Sequence, residues 1–166
     1  MLLCAGEPVA KGVRIRSRDK GYDALTKRIY GFGKVHLKVG VFSTDPKVDH
    51  DGKAQPVTVV MVAEWMEFGV PGRIPARSFI RAWFDENKPE CQVQIAKALR
   101  AVTRGAITKE RALALLGERF AAGMKARVAQ GIPPENAPST VARKGSSVPL
   151  IDTGQLRSSI TFQVVL

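Results

Sequence analysis

Only two cysteines, Cys4 and Cys91, occur in the chain, and they lie far apart. That spacing leaves no CxxC pair, no zinc-ligand pattern and no disulfide framework, and it suits a reducing compartment in which both thiols are idle or buried. Histidine is equally scarce. His36 and His50 stand alone, without a second histidine at ligand spacing, and Asp49-His50-Asp51 falls in a polar, turn-rich stretch that reads as solvated side chains rather than a metal centre. No apolar run approaches the roughly 20 residues of a membrane-crossing helix. The opening Met1-Leu2-Leu3-Cys4-Ala5 has no basic residues ahead of it, which argues against a secretory signal. Catalytic signatures are missing as well: there is no G-x-S-x-G elbow, and Gly31-Phe32-Gly33 and Lys144-Gly145-Ser146-Ser147 each lack a glycine that a phosphate loop requires.

What the chain has in excess is positive charge. Its 166 residues carry 26 Lys+Arg against 15 Asp+Glu, a net of +11, while the 45% hydrophobic content is that of an ordinary globular domain. The excess is polarised. Residues 11–38 hold nine bases and two acids, residues 39–96 six bases and eight acids, and residues 97–157 eleven bases and four acids. Two basic ends therefore flank a slightly acidic middle, which points to a polyanionic neighbour or an acidic protein face. Arg14, Arg16, Arg18, Lys20, Lys27 and Arg28 form the candidate basic surface, with Tyr22, Tyr30 and Phe32 interleaved as stacking groups. They support an alternative reading of the chain as a nucleic-acid-binding accessory protein that uses this basic amino-terminal segment, against which no named DNA- or RNA-binding module can be traced.

Periodicity predicts an α+β domain spanning 1–166. Residues 1–33 read as a basic arm or extra strands, and residues 34–166 as the core. Alternation over 34–42 puts Val35, Leu37, Val39 and Val41 on one strand face, and the β-branched run 57–63 predicts a second strand, pairing antiparallel with the first across a long turn-rich loop. A helix is expected to begin near Pro75, with Phe79, Ile80, Trp83 and Phe84 on one side, to break at Asn87-Lys88-Pro89, and to resume over 90–102 through Val93, Ile95, Ala96, Leu99 and Val102. The strongest helix runs from the N-cap Thr108 to Gly131, with Leu113, Leu116, Phe120, Met124 and Val128 as its apolar stripe. Residues 131–150 read as an extended loop. Asp152-Thr153-Gly154-Gln155 has capping-box form, and the alternating 160–166 predicts a final strand that completes the sheet begun near residue 34. Leu150-Ile151-Asp152-Thr153-Gly154 also matches the segment around the aspartate of retroviral-type aspartic proteases, but the downstream parts of such an enzyme do not follow, and the N-cap reading of Asp152 is favoured.

Several separated segments share one resemblance. Glu67-Phe68-Gly69, Ile74-Pro75-Ala76-Arg77-Ser78-Phe79-Ile80-Arg81, Pro138 to Gly145, Pro149 to Leu156 and Ser159-Ile160-Thr161 resemble, in order, signature segments of the tail-completion or neck ("virion morphogenesis") proteins of tailed bacteriophages. The resemblance covers roughly residues 57–166. Ser78 stands where that family commonly has proline, Phe162 where tyrosine is usual, and the basic amino-terminal third has no clear counterpart. The resemblance implies a small antiparallel sheet packed with helices, in a non-enzymatic subunit without a cofactor. Such a subunit is expected to form a six-fold ring at the virion's head–tail junction after assembly in the bacterial cytoplasm. Its implied partners are other copies of itself, the connector or head-closure protein and the tail terminator or tail tube, with passing contact to DNA and none to a membrane. It makes Glu67, Phe68, Gly69, Ile74, Pro75, Arg77, Pro138, Lys144, Leu150 and Asp152 the candidates for subunit interfaces or docking.

Overall fold

The computed structural model describes residues 21–42, 46–48, 52, 54–144, 149–150 and 154–165. The chain is α+β: six α-helices and two short antiparallel ladders among the described residues. Helix α1 (Tyr22–Tyr30) leads through a 3₁₀ turn at Gly31–Lys34 into β1 (His36–Val41). Strands β2 (Pro46–Val48) and β3 (Ala54–Thr58) pair antiparallel with an irregular register. Then come α2 (Val59–Phe68), α3 (Arg81–Thr103), α4 (Lys109–Gln130), α5 (Pro138–Lys144), α6 (Gln155–Ser159) and β4 (Ile160–Val165). No helix among the described residues is long and apolar enough to cross a membrane.

The final strand does close the sheet begun near residue 34: β1 and β4 run antiparallel in unbroken register from His36 opposite Val165 to Val41 opposite Ile160. The expected pairing of 34–42 with 57–63 does not form. Strand character ends at Thr58, whose Oγ1 accepts from the Met61 amide at 3.3 Å and so caps a helix. The β-branched residues that follow become the first turn of α2, with Val59, Ala63 and Glu67 buried at i, i+4 and i+8. A short apolar run carries no period of its own, so the cap and the spacing beyond residue 63 decide its state.

Pro89 does not interrupt α3, which starts at Arg81 and continues to Thr103. The cost is one backbone bond, because proline has no N–H to give the carbonyl four residues earlier. Packing on both sides offsets it. Trp83 before the proline meets Phe120 with ring centroids 5.8 Å apart, and Cys91 after it joins Leu116 and Phe120 in one buried cluster. Burial also pushes the Cys91 thiol pKa up, the direction of an unreactive side chain. The apolar face of α3 is rotated from the expected one: Cys91 and Val102 are buried, whereas Val93, Ile95 and Leu99 remain exposed.

Helix α4 is the organising element, capped as its sequence predicts by Thr108, whose Oγ1 accepts from the Arg111 amide, and terminated at Gly131. Its buried residues are Ala112, Leu116, Gly117, Phe120, Ala121, Met124 and Val128. The β1–β4 ribbon and α3 both pack on α4, and the larger core cluster gathers Val59 and Ala63 of α2, Phe79, Met124 and Val128 of α4, Leu156 of α6 and Ile160 of β4. Two further expectations shift. The described part of the amino-terminal region is helical rather than extended, and the 131–150 loop contains α5, which begins on Pro138, a residue suited to the first helical position.

Candidate functional site

Among the described residues two charged side chains are buried, Glu67 at 5% exposure and Arg77 at 6%, and both come from the segments that carry the resemblance. They organise the reversal between α2 and α3. Glu67 lies in the last turn of α2, where a carboxylate opposes that helix's own dipole, yet it faces the N-terminus of α3, where the dipole favours it. Its Oε1 accepts from Ser78 Oγ at 2.6 Å and from the Arg81 amide at 3.0 Å, and its Oε2 from the Phe79 amide at 2.8 Å and the Ile80 amide at 3.0 Å. One carboxylate thus satisfies three amides that a helix start leaves orphaned. Burial by itself raises the carboxyl pKa; the bonds from Ser78, Ile80, Arg81 and Phe79 outweigh it and hold the value below the ordinary one. Ser78 completes the arrangement by accepting from the Ala82 amide at 3.1 Å, a role that proline, with no hydroxyl, could not fill.

Arg77 ties this turn to the segment after α4. Its Nε donates to the Pro134 carbonyl at 2.7 Å and its Nη2 to the Glu135 carbonyl at 3.0 Å, while its own amide donates to Met66 O at 2.7 Å. Between Glu67 and Arg77 the chain doubles back through a Val70–Ile74 bridge. Gly69 stands at φ 78°, ψ 170°, a region open essentially to glycine alone, and a Cβ there would lie 2.8 Å from the Ala76 nitrogen and 3.0 Å from Ile74 O. Replacing Gly69 with alanine is therefore expected to destabilise the fold by about 1–3 kcal/mol or more. A chemical-denaturation midpoint equal to that of the unaltered chain would contradict this strain.

The outer surface of the turn is apolar. Phe68 is 65% exposed, the Arg81 guanidinium lies 5.6 Å from its ring centroid, and an open concavity of about 510 Å³ is lined by the Phe68–Ala76 turn. Of the other docking candidates, Ile74 is half-buried, Pro75 exposed, and Pro138 exposed at the start of α5, which Lys144 ends. Leu150 belongs to the core, buried with a left-handed φ of 64°. Asp152 lies outside the described residues, and the helix it was expected to cap forms at Gln155–Ser159 with Gly154 at its N-cap position. Arg14, Arg16, Arg18, Lys20, Cys4 and the Asp49-His50-Asp51 triplet also fall outside them.

Lys27 and Arg28 are exposed in the last turn of α1, and Tyr22 and Tyr30 are 73% and 80% exposed on the same helix. His36 is exposed on β1, and no group of three or more His, Cys, Asp or Glu among the described residues is placed to hold a metal ion. Sequence reasoning singled out Glu67 and Arg77 but missed what they do, because their partners are contributed by the following helix start and by a loop more than fifty residues away. No protein-family profile, no curated protein and no solved structure matches the chain.

Proposed function

We propose that the chain is a structural subunit of the tail-completion or neck ring of a tailed bacteriophage. On this reading it assembles with copies of itself, in a six-fold ring, and joins the tail to the connector. The observation that carries the proposal is the ordered set of resembling segments over residues 57–166, together with their convergence in space. Glu67 binds the 78–81 segment, Arg77 binds the chain at 134–135, and Leu150, Leu156 and Ile160 meet Val59, Ala63 and Phe79 in one core.

The division of labour is physical. Buried Glu67, Arg77 and Phe79 hold the reversal rigid, and Phe68, Ile74 and Pro75 present its outer surface to a neighbour. An exposed aromatic beside a fixed turn is the kind of anchor on which interfaces concentrate their energy. Burying Phe68 on assembly should contribute about 1.5–3 kcal/mol per subunit contact, so Phe68→Ser is expected to weaken assembly while leaving the monomer fold intact.

The test is mass measurement of the purified chain over a wide concentration range, alone and mixed with tails lacking this protein, followed by electron microscopy of the mixture. A ring, either free or seated on the tail end, is the expected result. A monomer at every concentration that leaves the tails bare would overturn the reading.

A further inference from the structure

The sequence places basic residues at both ends of the chain, and the fold brings parts of the two ends together at one corner. The C-terminal end of α1 meets the α3–α4 turn there: Arg28 Nη1 donates to the Thr103 carbonyl at 3.2 Å, and Lys109 Nζ donates to the Gly31 carbonyl at 3.0 Å. These two bonds bring together three helix ends: that of α1, which carries Lys27 and Arg28, that of α3, which carries Arg100 and Arg104, and the first turn of α4, which carries Lys109 and Arg111. Five of the six are exposed, and Lys109 is half-buried. Two acids share the corner, Asp23 in the first turn of α1 and Glu110, which pairs with Lys109 at 3.8 Å.

Elsewhere on the long helices two basic residues are paired with carboxylates, Arg119 with Glu90 and Arg127 with Glu86, while Lys88, Lys97 and Lys125 stand singly rather than in a cluster. Among the described residues, no carboxylate pairs with Lys27, Arg100, Arg104 or Arg111. Lys109 and Arg111 also occupy a helix N-terminus, where the macrodipole is already positive and a cation is disfavoured. Their placement does nothing for the helix and raises the positive potential of the corner. Tyr30, 80% exposed, stands immediately before Gly31, whose carbonyl holds Lys109.

We infer that this corner, built from α1 and the α3–α4 turn, is a contact surface for the phosphodiester backbone of nucleic acid. Unpaired, exposed cations drawn from three helices match a chain of phosphates, and contacts to phosphates carry no sequence information of their own. The inference does not rest on the ring reading. A ring without salt-dependent binding overturns only this inference, and a binding monomer overturns only the ring.

The probe is a labelled, mixed-sequence DNA duplex titrated with the full chain at several salt concentrations. The variant combines Lys27→Gln, Arg104→Gln and Arg111→Gln, leaving Arg28 and Lys109 in place because they hold the corner together. A charge-matched control combines Lys38→Gln, Lys88→Gln and Arg157→Gln, all exposed and located elsewhere. Circular dichroism should be the same for all three proteins.

Each lost phosphate contact lowers the log–log salt slope by about 0.9, so the corner variant should lose roughly 2.7 of slope. At 50 mM salt its affinity should fall on the order of a hundredfold or more relative to the unaltered chain, while the control changes by less than about threefold. Equal losses in the two variants would assign binding to net charge. An unchanged slope in the corner variant would assign it to other cations, and tighter binding of polyglutamate than of the duplex would make the partner an acidic protein. Each of these outcomes overturns the inference.

Discussion

Replacing Glu67 with alanine is expected to lower the unfolding free energy by about 2–5 kcal/mol, because it removes a charged acceptor shared by four hydrogen bonds and leaves neutral donors unpaired. The Phe79, Ile80 and Arg81 amides and the Ser78 hydroxyl would all lose their acceptor, and the Phe79 amide is deeply buried. A buried donor left without a partner costs about 1–3 kcal/mol, and the more accessible donors recover part of their loss from water. Glu67→Gln keeps the shape but turns an NH₂ group toward N–H donors, so it should cost less than alanine and still register clearly in a urea midpoint.

The same carboxylate gives a pH signature. Its folded pKa lies below the ordinary 4.5, so its contribution to stability is fully present above that pH and is lost as the pH falls through the folded value. The stability gap between the unaltered chain and Glu67→Gln should accordingly be widest above pH 4.5 and narrow below it. A gap constant with pH would contradict the role of the charge.

Gly117→Ala is the second large effect, and its direction runs against helix propensity. Alanine in a helix interior is worth about 1 kcal/mol more than glycine, which by itself predicts stabilisation. At Gly117, however, a Cβ would stand 2.4 Å from the Phe162 ring, and at Gly123 it would stand 2.4 Å from the Trp83 indole. These two glycines let β4 and α3 approach the α4 backbone. Forcing either contact apart should cost about 1–3 kcal/mol net, the usual range for an overpacked core. Pairing Gly117→Ala with Phe162→Val should recover part of the loss, and thermal unfolding of the four proteins in that cycle measures the coupling. Additive effects would show that Gly117 and Phe162 do not sense one another.

Local signals reported the elements whose ends are set locally. The strongest helix is bounded by Thr108 and Gly131 as its sequence predicts, and the alternation at 34–42 and 160–166 marks two strands that pair with each other. Where tertiary packing decides, the local signal fails. Pro89 reads as a break until Trp83 and Cys91 are seen anchored on either side of it, and Val57 to Ala63 reads as a strand until the Thr58 cap is seen.

The turn around Glu67 was legible as a place but not as a mechanism. Nothing near residue 67 says that its carboxylate caps a helix beginning fourteen residues later. Gly117 and Gly123 left a usable trace, since two glycines inside an otherwise strong helix invite the question of what approaches them.

The β1–β4 ladder has a consequence for the order in which the chain is made. Val41 and its neighbours leave the ribosome long before Ile160 and the residues that pair with them. Until β4 emerges, the β1 edge and the Gly117 face of α4 lack the strand that covers them in the finished fold. Closing so long a loop is slow, and an uncovered strand edge is prone to pair with other chains. The hazardous interval in this protein's biogenesis is therefore the one between the completion of α4 and the arrival of β4.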